Sequence, residues 1–153
     1  GHGFSIGLGI ALSAIIRDLD YKVYVIVGDG ELNEGSIWEG ALFAAAQNLY
    51  NFNVIIDCNK WQGTCRSDDT LSSNSISKKF DAFGWKTTEV DGHDFMQLDN
   101  VFLDSEKNKK PFAIIANTIK GKGISFMEDD NNWHYKIPNE LGVNKSKKEL
   151  GLL

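Results

Sequence analysis

Two short apolar strands, each handing an oxygen-bearing side chain to the same sheet edge, constrain this chain most tightly. Tyr21 to Val27 is rich in β-branched and aromatic residues, which reads as a strand. It runs directly into Gly28-Asp29-Gly30. The pattern from Gly35 to Leu49 predicts a helix, and Asn53 to Asp57 predicts a second strand that delivers Asn59, thirty positions after Asp29. A right-handed strand–helix–strand crossover brings both residues to the carboxyl edge of a parallel sheet, where open α/β folds bind ligands. One carboxylate and one amide suit a small hard cation such as Mg²⁺, which holds oxygens at about 2.1 Å and draws further ligands from a phosphate. The flanking glycines admit a diphosphate close to the backbone, and the following helix N-terminus offers it a favourable dipole. Taken singly, Asp29 and Asn59 read equally well as turn or capping residues.

The remaining pattern extends the same architecture. Ser75 to Phe83 and Asp94 to Ser105 read as helices, and Lys86 to Val90 and Phe112 to Asn117 as strands. Lys60 to Ser75 reads as a loop, and residues 118 to 138 as irregular chain with Gly121 and Gly123 at hinges or close approaches. The expected fold is α/β: a doubly wound, mostly parallel sheet with helices on both faces. Both leading strands are nearly continuous apolar runs, which predicts cover on both sides. Gly3, Gly7, Gly9, Ala11 and Ala14 give the opening helix a face of small residues for close packing. Ser36-Ile37-Trp38-Glu39 fits a capping box. Residues 1–138 are expected to form one domain, and 139–153 a polar tail with a short helix at Ser146 to Leu150. A dinucleotide fingerprint is excluded, since Gly7-Leu8-Gly9 precedes the first strand and lacks the third small residue. No phosphate-loop motif of the Walker type occurs.

Composition narrows the partners. A net charge of −5 argues against nucleic acid. The dense basic group Lys107, Lys109 and Lys110 reads as a solvated helix end. Cys58 and Cys65 make no disulfide framework, so a reducing cytoplasm is the expected setting, with Cys58 a small core residue. The longest apolar stretch, Phe4 to Ile16, is too short and too interrupted to span a bilayer.

The motifs together carry a resemblance. Gly28-Asp29-Gly30 with Asn59, the segment GDGELNEGSIWEGALFAAAQ, and the later TIKGKGISFMEDDNNWH resemble the transketolase family, in its N-terminal, diphosphate-binding part. The chain opens with GHGFSIGLG, which resembles the second half of a family motif. About a hundred residues normally precede that motif, so a fragment or partial subunit is expected. The resemblance implies thiamine diphosphate and Mg²⁺ as cofactors. It implies Asp29, Asn59 and the backbone carbonyl of Trp61 as metal ligands, and Gly30 as a diphosphate contact through its amide. Lys120 and His134, fourteen residues apart, would line the cofactor and donor pocket as catalytic and cofactor-binding groups; a solvated lysine and a surface histidine are their plain alternatives. Glu34 and Glu39 would lie at a subunit interface, although Glu34 also suits the helix dipole and Glu39 the capping box. His2 would sit near the cofactor's thiazole side or serve as a helix cap or buried polar group, and His93 would form a turn ahead of an Asp94 cap.

One departure stands out. The family commonly reads Trp-His-Gly-Lys-Pro, whereas this chain reads Trp133-His134-Tyr135-Lys136-Ile137-Pro138. The implied activity is transfer of a two-carbon ketol unit from a ketose phosphate to an aldose acceptor, and Tyr135 at the pocket bears on that sugar-phosphate specificity. The activating glutamate belongs to a pyrimidine-binding domain that these residues lack. The implied partner is therefore a C-terminal transketolase subunit, in a hetero-oligomer built on a dimer. The alternatives are a subunit of a 2-oxoacid dehydrogenase or deoxyxylulose-phosphate synthase type of enzyme, or a non-catalytic assembly subunit.

Overall fold

The computed structural model describes residues 1–71 and 75–153. Part of the expected loop from Lys60 to Ser75 falls at residues 72–74, outside the described residues. Four parallel strands, β1 (Val23–Gly28), β2 (Phe52–Cys58), β3 (Lys86–Asp91) and β4 (Phe112–Asn117), lie in the order β1-β2-β4-β3. The register pairs Gly28 with Asp57, Cys58 with Asn117, and Asp91 with Asn117, so all four strands end at one edge.

Handedness then distributes the helices. The path moves outward from β1 to β2 and past β4 to β3, and then turns back to β4. Right-handed crossovers put helices from the two directions on opposite faces. Accordingly α1 (His2–Ile16), α2 (Gly35–Ala46) and α4 (Ile76–Ala82) bury Phe4, Leu8, Ile37, Ala41, Ile76 and Phe80 in one core with Val27, Val54, Ile56 and Ile115. On the other face α5 (Phe95–Lys107) packs Val101, Leu98 and Phe102 against Val90, Phe112, Ile114 and Ala116. A single helix cannot cover four strands. Double cover therefore holds for β2 and β4 but fails for β1, where Ile26 is 72% exposed.

The small-residue face of α1 divides in two. Gly7 lies against the sheet, where an added Cβ would stand 2.4 Å from Val25 Cγ2 and 2.9 Å from Phe52 Cε2. Ala11 and Ala14 are fully buried, whereas Gly3 and Gly9 face open space. The expected capping box does not form. The Ile37 amide already donates to the Glu34 carbonyl at 3.1 Å, so Ser36 lies inside the helix, and no side chain caps it. Asp94 does cap α5, accepting from the amides of Met96 (2.9 Å) and Gln97 (3.2 Å).

The loop after β2 contains a one-turn helix, α3 (Ser67–Thr70), and the tail helix is twice its expected length: α6 spans Glu140–Glu149. The Asn139 side chain starts α6 by accepting from the Gly142 amide at 2.9 Å. At its far end Glu149 grips the loop after β4, accepting from the Ser125 amide and hydroxyl, both at 2.7 Å. The Ser125 bonds hold the Glu149 carboxyl below the usual carboxylate range. A depressed carboxyl stabilises the fold above its unfolded value, near 4.5, and loses that contribution as pH falls through the lower folded value. Protection of the Ser125 amide, measured against its intrinsic exchange rate at each pH, should therefore fall on acidification below about pH 4.5, and Glu149→Gln should show low protection already at neutral pH. Unchanged protection in Glu149→Gln would mean that the loop holds itself.

Candidate cofactor-binding site

The carboxyl edge of β1 and β2 assembles the expected pair through backbone bonds. Asp29 follows β1 and opens a 3₁₀ turn, Asp29–Asn33. Helix α2 therefore begins six residues beyond Asp29, after the 3₁₀ turn. Asp29 is 3% exposed. Its Oδ1 accepts from the Gly30 amide at 2.9 Å, and its Oδ2 from the Lys60 amide at 3.0 Å, which ties the loop after β2 to the turn after β1. Among the described residues Asp29 forms no ion pair. Burial pushes its carboxyl above the ordinary value, while the Ser67 hydroxyl and the Gly30 and Lys60 amides pull the other way.

Asn59 is oriented from both ends. Its Nδ2 donates to Asp57 Oδ2 at 2.9 Å, while its Oδ1 accepts from the Trp61 amide at 2.9 Å. Asp57 takes a second bond from the Thr118 hydroxyl, so a single carboxylate joins Asn59 to the loop after β4. Trp61 bridges Arg66 across a short antiparallel turn whose hydrogen bonds run from Gln62 N to Cys65 O and from Ser67 N to Lys60 O. That pattern leaves the Trp61 carbonyl outside the ladder.

The donor set fits a cation. A buried carboxylate without a paired charge is costly to keep in an apolar surrounding. Carboxylates gather nearby: burial, reinforced by Asp29, Asp57, Glu89 and Asp68, pushes the Cys58 thiol up to about 12. No trio of His, Cys, Asp or Glu gathers as a metal cluster among the described residues, but Mg²⁺ needs none when an amide, a backbone carbonyl and phosphate oxygens complete its shell. The close approach at Gly30 is filled from within the chain, since a Cβ there would meet Gln62 Cβ at 2.5 Å. Gly28 faces open space. A cleft of ≈ 630 Å³ opens beside the pair, lined by Asn59, Lys60, Arg66, Thr118 and Asp129, and Asp29 opens onto an adjoining crevice that shares Lys60 and Asp68.

The other expected residues are dispersed. Lys120 is half-buried on the loop after β4, and its carbonyl accepts from the Asp129 amide at 2.9 Å. Gly121, with φ +74, packs so closely that a Cβ would stand 2.5 Å from the Met127 carbonyl oxygen. His134 is exposed at the end of a 3₁₀ turn, Asn131–His134. Glu34 and Glu39 are both exposed. His2 is the first residue of α1, exposed and capping nothing, which corrects the buried or capping alternatives. His93 forms the expected turn, and its Nε2 also accepts from the Ile119 amide at 2.8 Å, linking the loops after β3 and β4. Sequence reading missed Asp57, Thr118 and the clasp of Arg66 on Asp129. In that clasp the guanidinium makes two bonds, at 2.6 and 2.7 Å, and lies 3.7 Å over the Trp61 ring, while Trp61 Nε1 also donates to Asp129 at 2.8 Å. The Asp57-x-Asn59 spacing is a local signal for the first of these; no pattern in the sequence joins positions 66 and 129.

Known proteins identify the family. The family described as "Transketolase, thiamine diphosphate binding domain" matches residues 15–153. The chain is 41% identical over 150 residues to an apulose-4-phosphate transketolase subunit of Actinobacillus succinogenes, covering 98% of this chain and 54% of that protein. Human transketolase is 37% identical over 137 residues, covering 89% of this chain and 22% of that one. The structure of Campylobacter jejuni transketolase superposes with a TM-score of 0.94 at 27% identity, over 99% of this chain and 25% of that one. The chain thus spans about half the length of its subunit-type relatives or less, and among the described residues no helix is long and apolar enough to cross a membrane. A parallel sheet ending in a buried aspartate and an oriented asparagine, in a chain with these relatives, belongs to the transketolase family and carries its thiamine diphosphate-binding domain.

Proposed function

We propose that this chain supplies the diphosphate-binding half of a transketolase that moves a two-carbon ketol unit from a ketose phosphate to an aldose acceptor. The observation that carries the reading is the buried Asp29 carboxylate, in no ion pair among the described residues and joined through the Lys60 amide to the loop bearing Asn59. Asp29, Asn59 and the Trp61 carbonyl would hold Mg²⁺, with diphosphate oxygens completing its shell. Thiamine diphosphate, when bound, supplies the carbon nucleophile and the electron sink for the two-carbon unit. The chain's own work is to bind and orient. Asp57 occupies the Asn59 nitrogen, and the Asn59 oxygen, which also accepts from the Trp61 amide, would offer its second lone pair to the cation. Lys120 would offer a positive charge to the diphosphate or donor hydroxyls, and His134 a proton at a reacting oxygen.

The partner would be a protein carrying the pyrimidine-binding domain. Two relatives are named as subunits of an apulose-4-phosphate transketolase, which supports both the divided enzyme and a phosphorylated ketose substrate. The free thiols of Cys58 and Cys65 suit a cytoplasmic setting.

The assembled two-subunit enzyme, offered apulose 4-phosphate, other ketose phosphates and pyruvate in parallel, should transfer ketol units from a ketose phosphate and leave pyruvate untouched. The chain without its partner should be inactive. Turnover of pyruvate alone would point to a 2-oxoacid or deoxyxylulose-phosphate synthase type of reaction, and turnover by the lone chain would refute the divided site.

A further inference from the structure

Tyr135 directly follows His134, and its surroundings assign it a task. Its hydroxyl donates to the Gly63 carbonyl at 2.6 Å. The same carbonyl accepts from Asn131 Nδ2 at 3.4 Å, and Asn131 Oδ1 is buried without a partner. The Tyr135 ring meets the His134 imidazole edge-on, with centroids 4.8 Å apart and planes at 76°. A Cβ placed on Gly63 would lie 3.0 Å from the Tyr135 hydroxyl and 3.9 Å from His134 Nε2, so the α-carbon of Gly63 faces both side chains. Trp133, on the other side of His134, donates from Nε1 to the Phe126 carbonyl at 2.8 Å and packs against the Phe126 ring.

His134 is thus flanked by two anchored aromatic residues, and of these two it is Tyr135 that ties it to the loop carrying Asn59 and Trp61. An exposed histidine on a short turn is otherwise free to sample several rotamers, and ordering it at the moment of reaction carries an entropic cost. A glycine at position 135 offers neither the ring nor the hydroxyl.

We infer that Tyr135 is a positioning residue: through its phenol bond to Gly63 and its edge-on ring it fixes His134 to the metal-ligand loop, so that the donor-facing imidazole is set before substrate arrives. This inference rests on the donor-facing role proposed for His134. One side chain would thereby transmit ordering of the 61–66 loop to the imidazole.

The test uses the assembled enzyme with Tyr135→Phe, which keeps the ring, Tyr135→Gly, which removes both contacts, and His134→Gln. Losing one hydrogen bond should raise the ketose-phosphate KM about three- to tenfold, with calorimetric affinity for thiamine diphosphate and Mg²⁺ held within about twofold. Tyr135→Gly should cost more than Tyr135→Phe. In a His134→Gln background, Tyr135→Phe should change nothing further, since residues acting through one group are not additive. A second measurement needs no turnover. The chain has three histidines, so ¹³C-histidine NMR, assigned with His134→Gln, should show the His134 signal moved or broadened in Tyr135→Phe while His2 and His93 stay put. An unmoved His134 signal, or an undiminished Tyr135→Phe effect when His134 is already gone, would overturn the inference. Absence of ketol transfer in the wild type would instead remove the functional reading, leaving the NMR measurement to decide whether the tie exists.

Discussion

Asp29→Ala should weaken the combined binding of Mg²⁺ and thiamine diphosphate by about 100-fold or more. Replacing groups that merely support a ligand typically costs 10–100-fold in metal affinity, and Asp29 would be the charged ligand itself. Its removal also frees the Lys60 amide, whose bond to Asp29 Oδ2 holds the Asn59 loop against the turn after β1. Calorimetry on the assembled enzyme gives the affinity directly. Thermal unfolding of the variant serves as its control, because a folded protein that binds as tightly as wild type would exclude Asp29 from the site.

The largest stability effect is expected at Phe52. It is fully buried, meets Phe4 edge-on at 5.2 Å and Trp85 at 5.9 Å, and leaves Gly7 no room for even a methyl group. Neighbours packed this tightly cannot collapse into the space a truncation leaves. Phe52→Ala should therefore cost about 3–5 kcal/mol, lowering the melting midpoint by roughly 6–20 °C for a domain of this size. The same cluster holds α1 and α2 against the sheet. Hydrogen exchange should rise in those helices well before it rises in α5, which packs in the separate core on the opposite face. Equal acceleration in both cores would show that the domain responds as one unit.

Features governed by neighbouring residues were legible in the sequence. The strand ending in Gly28-Asp29-Gly30 and the strand delivering Asn59 are short apolar runs with punctuation. Parallel handedness then leaves one edge where the two residues can meet. The Asp94 cap is equally local. Other features depend on distant partners. Arg66 and Asp129 are 63 positions apart, and Thr118 reaches Asp57 across 61. The exposure of Ile26 follows from α5 being the one helix on its face among the described residues, which the apolar composition of β1 cannot reveal. Ser36 and Glu39 have the spacing of a cap, but the 3₁₀ turn from Asp29 feeds α2 from an extended Glu34, so the helix begins a residue before Ser36. The long α6 was hidden by Gly142, a poor helix former that here packs close to Pro138 and Phe126. The roles proposed for Lys120 and His134 rest on resemblance alone, since a half-buried lysine and an exposed histidine carry no local signature of chemistry.

The central claim is that Asp29 and Asn59 form a cation-dependent diphosphate site, and omission of the metal tests it most directly. The assembled enzyme should be titrated with thiamine diphosphate in the presence of Mg²⁺ and again with Mg²⁺ removed by chelation. Binding that appears with Mg²⁺ and is lost without it, with Asp29→Ala failing under both conditions, is the predicted result. Equal affinity with and without Mg²⁺ would contradict the claim.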